Sequence, residues 1–296
     1  MAIYHTSYDP KDSIVYVESI SDESLKNGMG FVYKKDDNID YIVTNYHVVA
    51  SSNYIYVYNL KNEKERASLV DFDAYTDIAI LKLDDSLKLK SIKKPTIELK
   101  EKTEIYYFNI NKNSIESGSI LSLNNEITLT ANYGNSFYNA ISIKGDIENG
   151  NSGGPVFNNK EEFVGMISLK DEETNNGYYV DYDLINDIVT KLENHSLVRP
   201  NIGGAFASST NVDAITNVGL AVPNLQGVVI LDVAESSTLS KNGIIKGDII
   251  TKINNKDIID VIGLQREIYS HDIGDTITLE YYRHDALNTV SVLLER

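Results

Sequence analysis

Gly150-Asn151-Ser152-Gly153-Gly154-Pro155 sets a serine among glycines, where the backbone is free to turn a hydroxyl and neighbouring N–H groups toward one carbonyl. A serine hydroxyl is a poor nucleophile until a base takes its proton as it attacks. Working back along the chain, Thr44-Asn45-Tyr46-His47-Val48-Val49 supplies an imidazole, and Thr76-Asp77-Ile78-Ala79 a carboxylate. An imidazole exchanges protons near neutrality, and a carboxylate on its other nitrogen fixes tautomer and orientation. His47 is therefore the candidate base, Asp77 its orienting partner and Ser152 the nucleophile. The N–H groups of Gly150 and Ser152 are the candidate donors for an oxyanion.

Alone, each segment reads more simply. Gly, Asn, Ser and Pro make turns for their own reasons, and His47 before Val-Val or Asp77 before Ile-Ala-Ile-Leu fits the edge of a strand. What outweighs that reading is the conjunction of three sparse segments, each bordering an apolar run. His5, His195, His271 and His284 lack such surroundings and receive no role.

In order and wording the three segments resemble the HtrA (Deg) family of trypsin-like serine proteases, which carries TN-x-HVV, TDIA-x-L and GNSGGP. The resemblance implies a two-barrel domain and a His47-Asp77-Ser152 triad. Phe163-Val-Gly-Met-Ile-Ser-Leu and Gly177-Tyr-Tyr-Val resemble the strands that complete the second barrel and flank the cleft. The chain departs from the family near the serine, with Lys144 eight residues before it, Asp146 and Glu148 closer in, and Gly177-Tyr178-Tyr179-Val180-Asp181 in place of G-F-A-I-P. In the trypsin-like pattern Asp146 falls on the floor of the primary specificity pocket, favouring a basic side chain, with Ile147 and Lys170 as further lining. As solvated loop charges, Asp146 and Lys170 would have no such role.

Composition bounds the answer from outside. At 296 residues with a 42% hydrophobic fraction, the chain can bury two ordinary cores, which favours two domains. Lys+Arg is 27 against Asp+Glu 43, a net charge of −16 spread along the chain, which argues against nucleic acid as a partner. With no cysteine there is no disulfide framework or thiolate metal site, and neither metal nor organic cofactor is expected. No apolar stretch approaches the roughly twenty residues of a membrane helix. The resemblance implies an extracytoplasmic address, with a leader or anchor absent from this sequence.

Up to residue 131 the chain reads as short β-runs between polar turns: Ser13–Ile20, Gly28–Tyr33, Tyr41–Tyr46, Tyr54–Tyr58, Ile78–Leu83, Ile105–Ile110, Ser119–Leu123 and Ile127–Ala131. Such spacing predicts an all-β sandwich or barrel. Asp183–Glu193 breaks the pattern with Leu184, Ile188 and Leu192 on one helical face and Asp183 as N-cap. The boundary is expected in the polar stretch that follows: a first domain over 1–195, a linker over 196–201 and a second domain over 202–296.

The second domain predicts a strand at Gln226–Val233, a short helix at Ser236–Lys241, a turn, strand and hairpin at Lys246–Lys256, an amphipathic segment at Asp260–Tyr269, and strands at Thr276–Arg283 and Thr289–Leu294. Gly243-Ile244-Ile245-Lys246-Gly247-Asp248 through Asn254 resembles the PDZ domains of the same family, making the overall class mostly β, a double barrel followed by an α/β PDZ domain. By that resemblance Ile202-Gly203-Gly204-Ala205 is the carboxylate-binding loop. A peptide C-terminus would add a strand beside Leu264 and Ile268. The resemblance further implies unfolded or misfolded proteins as substrates, and a homotrimer with Tyr4 and Tyr8 placed for contacts. Two rivals remain at the level of sequence: a silent PDZ adaptor, which an intact triad disfavours, and a non-proteolytic acyl hydrolase, whose strand–elbow–helix context is missing.

Overall fold

The computed structural model describes residues 8–22, 24–36, 39–131, 134–171, 174 and 176–295. It divides into two compact units, residues 1–197 and 198–296.

Six strands close the first barrel: β1 (Ile14–Ile20), β2 (Leu25–Asp36), β3 (Ile39–Asn45), β4 (Tyr54–Asn59), β5 (Lys64–Asp73) and β6 (Ile78–Leu83), in the order β1-β2-β3-β6-β5-β4. A single helical turn, α1 (Tyr46–Val49), follows β3. The second barrel is built from β7 (Glu104–Asn109), β8 (Ser114–Ala131), β9 (Gly134–Lys144), β10 (Pro155–Phe157), β11 (Phe163–Lys170) and β12 (Gly177–Asp181), ordered β10-β11-β12-β9-β8-β7. Closure leaves neither sheet an unpaired edge. Each barrel has its own filling, Val15, Val32, Ile42, Val57 and Leu81 in the first and Ile105, Ile120, Ile143 and Tyr179 in the second. A third apolar layer joins them. Met29, Phe31 and Ile80 of the first barrel meet Phe108, Phe163 and Met166 of the second, with the Phe31 and Phe163 ring centroids 4.4 Å apart.

That layer is finished by α2 (Tyr182–Glu193), which buries Ile185, Ile188, Val189 and Leu192 against it. Its N-cap is Asp181 rather than the expected Asp183: Asp181 still has the extended backbone of β12, and its carboxylate accepts the Leu184 N–H at 2.8 Å. Asp183 lies one residue inside the first turn. Two other expectations shift. Tyr46 opens α1 instead of closing β3, and the separate runs at Ser119 and Ile127 are parts of one long strand, β8.

The second unit is a sheet in the order β13 (Gly204–Ser208), β14 (Val228–Val233), β15 (Ile249–Ile253), β17 (Thr276–Arg283) and β18 (Ala286–Leu293), with β16 (Lys256–Asp257) paired to β15. Three helices accompany it, α3 (Val212–Asn217), α4 (Thr238–Lys241) and α5 (Val261–Tyr269). Its core joins Ile202, Val228, Ile230, Leu239, Ile250, Leu264, Ile268 and Leu279.

Candidate active site

Asn45 ends β3 and Asp77 precedes β6, and the pairing of those strands places Asn45 opposite Ile78. The Asp77 carbonyl accepts the Tyr46 N–H and the Asn45 side-chain amide, both at 3.0 Å. Its carboxylate, fully buried, accepts the His47 backbone N–H at 2.8 Å through Oδ1, and Oδ2 lies 2.7 Å from His47 Nδ1. Asp77 reaches this geometry at φ 58, in the left-handed region that Asp tolerates better than most residues. A carboxylate at Nδ1 keeps the proton there and leaves Nε2 as an acceptor. Next to His47 in the chain, Tyr46 stacks on Phe72 at 4.0 Å between ring centroids.

The serine comes from the loop before β10. The Met29 N–H of β2 donates to the Ser152 carbonyl at 2.8 Å, the Gly153 N–H to Ile167 at 2.8 Å and the Ile167 N–H to Gly154 at 2.8 Å, so the loop is bonded to both barrels. Gly153, at φ 85, must be glycine: a Cβ there would lie 2.0 Å from the Met29 carbonyl oxygen. The Ser152 hydroxyl donates to the Ser168 carbonyl of β11 at 3.1 Å. No His47–Ser152 hydrogen bond occurs among the described residues, so the dyad is assembled while the hydroxyl points to β11.

Glu148 to Asn151 form a turn closed by the Asn151 N–H on the Glu148 carbonyl at 3.1 Å, with Gly150 at φ 95 in its third position. That is a type II turn. The N–H groups of Gly150 and Ser152 have no acceptor among the described residues.

Asp146, Ile147 and Lys170 line one open cavity of about 940 Å³, together with Lys144 and Asn176. Asp146 is not an unpaired carboxylate at its floor. Lys112 Nζ sits 2.7 Å from Oδ2, and that hydrogen-bonded ammonium holds the carboxyl below its ordinary range. Ile147 is buried and joins the filling of the second barrel.

In the second unit, Ile202, Gly204, Leu264 and Ile268 line one groove of about 220 Å³ between β13 and α5, with Phe206 and Val261. Gly203 and Ala205 are not part of that lining. The Gly203 N–H is already bonded to Asn201 Oδ1 at 2.7 Å, and Ala205 is exposed. Sequence reasoning missed Phe206 and Val261, although Val261 precedes Leu264 and Ile268 at helical spacing. Tyr8 is half-buried, with its hydroxyl 3.3 Å from Ser13 Oγ; Tyr4 lies outside the described residues. Among the described residues no cluster of acidic or His side chains could hold a metal, and no helix is long and apolar enough to cross a membrane.

Residues 28–166 match the family model of the trypsin-like peptidase domain, and residues 200–294 that of the PDZ domain. The serine protease Do-like HtrA of Lactococcus lactis is 30% identical over 292 residues, covering 91% of this chain and 70% of that protein. HtrB of Bacillus subtilis, also named a Do-like serine protease, is 28% identical, covering 90% of this chain and 62% of that protein. Among solved structures, the serine endoprotease from Yersinia pestis superposes with a TM-score of 0.64 at 24% identity, covering 98% of both chains, a likeness of fold. Two barrels followed by a PDZ domain, with this extent of identity to Do-like proteases, make the protein a serine endopeptidase rather than a silent adaptor, and the chain belongs to the HtrA family.

Proposed function

We propose that this protease cleaves exposed segments of unfolded or misfolded proteins through Ser152, His47 and Asp77. The observation that carries the reading is the 2.7 Å approach of Asp77 to His47 Nδ1 beside a serine loop bonded to both barrels. On substrate binding the Ser152 hydroxyl turns from Ser168 to His47 Nε2. Oγ then attacks the scissile carbonyl while its proton passes to Nε2. Gly150 and Ser152 N–H groups hold the oxyanion, a role worth about two to three powers of ten in rate per donor. As the C–N bond breaks, His47 returns the proton to the leaving amine. Water, deprotonated by the same imidazole, cleaves the acyl ester and frees the serine.

The groove between β13 and α5 takes the C-terminal end of a polypeptide, recruiting substrate or regulating turnover. A homotrimer working outside the cytoplasm completes the proposal. Its support is family membership, and a monomer mass in light scattering would remove the trimer. The decisive test is chemical. A fluorophosphonate probe is expected to label Ser152, and Ser152→Ala to abolish both labelling and casein cleavage. Casein cleavage surviving in Ser152→Ala would overturn the assignment.

A further inference from the structure

The four residues joining β7 to β8, Ile110 to Asn113, touch the Glu148–Asn151 turn at several points, and the triad accounts for none of them. Asn109, fully buried, shapes the connection by accepting the Asn111 and Lys112 N–H groups on Oδ1 at 3.0 and 3.1 Å. The same side chain donates Nδ2 to the Asp146 carbonyl at 3.1 Å. The Ile110 N–H donates to Asn151 Oδ1 at 3.0 Å. Asn111 Nδ2 reaches the Glu148 carboxylate at 2.5 Å and the Asn149 carbonyl at 3.4 Å.

The last contact bears on chemistry. A type II turn and a type I turn share the same closing hydrogen bond and differ by a flip of the central peptide, here Asn149–Gly150. Flipping it would exchange the Gly150 N–H for the Asn149 carbonyl oxygen on the side where an oxyanion must bind. Glycine accepts either backbone, so Gly150 alone does not decide between them. Asn111 does, because its amide donates to the carbonyl and draws it away from that side.

We infer that Asn111 is a positioning residue of this protease, holding the Asn149–Gly150 peptide in the orientation that presents the Gly150 N–H to the oxyanion. The inference rests on Ser152 being the nucleophile. Its test uses a donor–acceptor series at an exposed position. Asn111→Ala removes the donor. Asn111→Asp replaces it with an acceptor that repels the Asn149 carbonyl and attracts the flipped N–H. On the full chain with a small chromogenic peptide, kcat is expected to fall about threefold in the Ala variant and about tenfold or more in the Asp variant, with KM within twofold of wild type; a single net hydrogen bond carries changes of this order. Affinity for a peptide boronate, whose tetrahedral adduct uses the same donors, should fall in the same order. A purely structural role would instead lower the melting temperature and leave kcat indifferent to donor or acceptor. Wild-type kcat in Asn111→Asp overturns the inference; should that variant not fold, wild-type kcat in Asn111→Ala does so. Fluorophosphonate labelling of wild type at Ser152 keeps the two claims apart, since its absence sinks the nucleophile assignment and not Asn111.

Discussion

Asp77 concentrates more of the site than any other residue, because one left-handed aspartate positions both the backbone and the ring of His47. Its two roles separate in Asp77→Asn. An amide of the same shape can still accept the His47 N–H, but its NH2 group facing Nδ1 forces that nitrogen to accept and moves the ring proton to Nε2. Nε2 is then unable to take the serine proton. The expected result is a fall in kcat of about 10⁴, the scale seen for the same change in a related triad, with KM little altered. Steady-state kinetics on a small chromogenic peptide checks it. A loss of less than tenfold would mean that the buried carboxylate does not govern the tautomer. The three candidate positions stand out in the sequence because the chemistry demands sparse residue types in strongly marked surroundings, and the structure brings two of them, His47 and Asp77, into hydrogen-bonding contact. The hydroxyl's bond to Ser168 was not legible, since it depends on how β11 passes the loop and not on any local pattern.

Elements show where sequence reading succeeds and where it stops. β1 and β6 were visible because their apolar residues are buried in runs or alternation. β5 was missed: of its ten residues only Ala67 and Asp73 are buried, so KERASLVDFD shows no apolar face although pairing with β4 and β6 makes it a strand. β13 was missed for a related reason, Gly204-Ala205-Phe206-Ala207-Ser208 being too short and small to mark itself. Hydrogen bonding across elements also lies beyond local pattern. Glu162, almost fully buried at the turn between β10 and β11, accepts from the Thr96 hydroxyl at 2.6 Å, the Thr96 N–H at 3.1 Å and Asn158 Nδ2 at 2.8 Å. Those donors, Thr96 first, lower its pKa from 4.5 to about 2. A carboxyl depressed by folding stabilises the fold fully above its unfolded pKa, and that contribution is lost as pH falls through the folded value. The clasp therefore holds above about pH 4.5 and is lost on the way down to about pH 2. Glu162→Gln is expected to melt lower than wild type near neutrality and to converge with it toward pH 2. Parallel melting curves for the two proteins across that range would show that the clasp contributes nothing.

At the scale of the whole molecule, one chain carries a bond-breaking unit and a unit whose groove has the dimensions of a few side chains, and each had to be recognised by different means. The first announced itself through chemistry. The second showed mainly through the Gly-Asp turn before β15 and the apolar spacing of α5; of the expected carboxylate loop, Ile202-Gly203-Gly204-Ala205, only Ile202 and Gly204 line the groove, and Gly203 already spends its N–H on Asn201. An edge strand, β13, beside an apolar helix face suits an added strand whose last side chain enters between them. Val261 tests this without hollowing the core, because it is only half-buried on the groove wall, unlike Leu264 and Ile268. Val261→Glu puts a carboxylate beside the end of a peptide that itself carries one, while removing apolar contact; covering the still exposed part of a half-buried valine is worth about 1 kcal/mol. The expected outcome is at least a tenfold weaker Kd for a fluorescent peptide ending in a free carboxylate and an apolar residue, measured by anisotropy on the full chain, with the melting profile retained. Moderate salt should recover part of the loss by screening the charges but not the part owed to lost apolar contact. Unchanged affinity in Val261→Glu would place peptide binding elsewhere than the groove between β13 and α5.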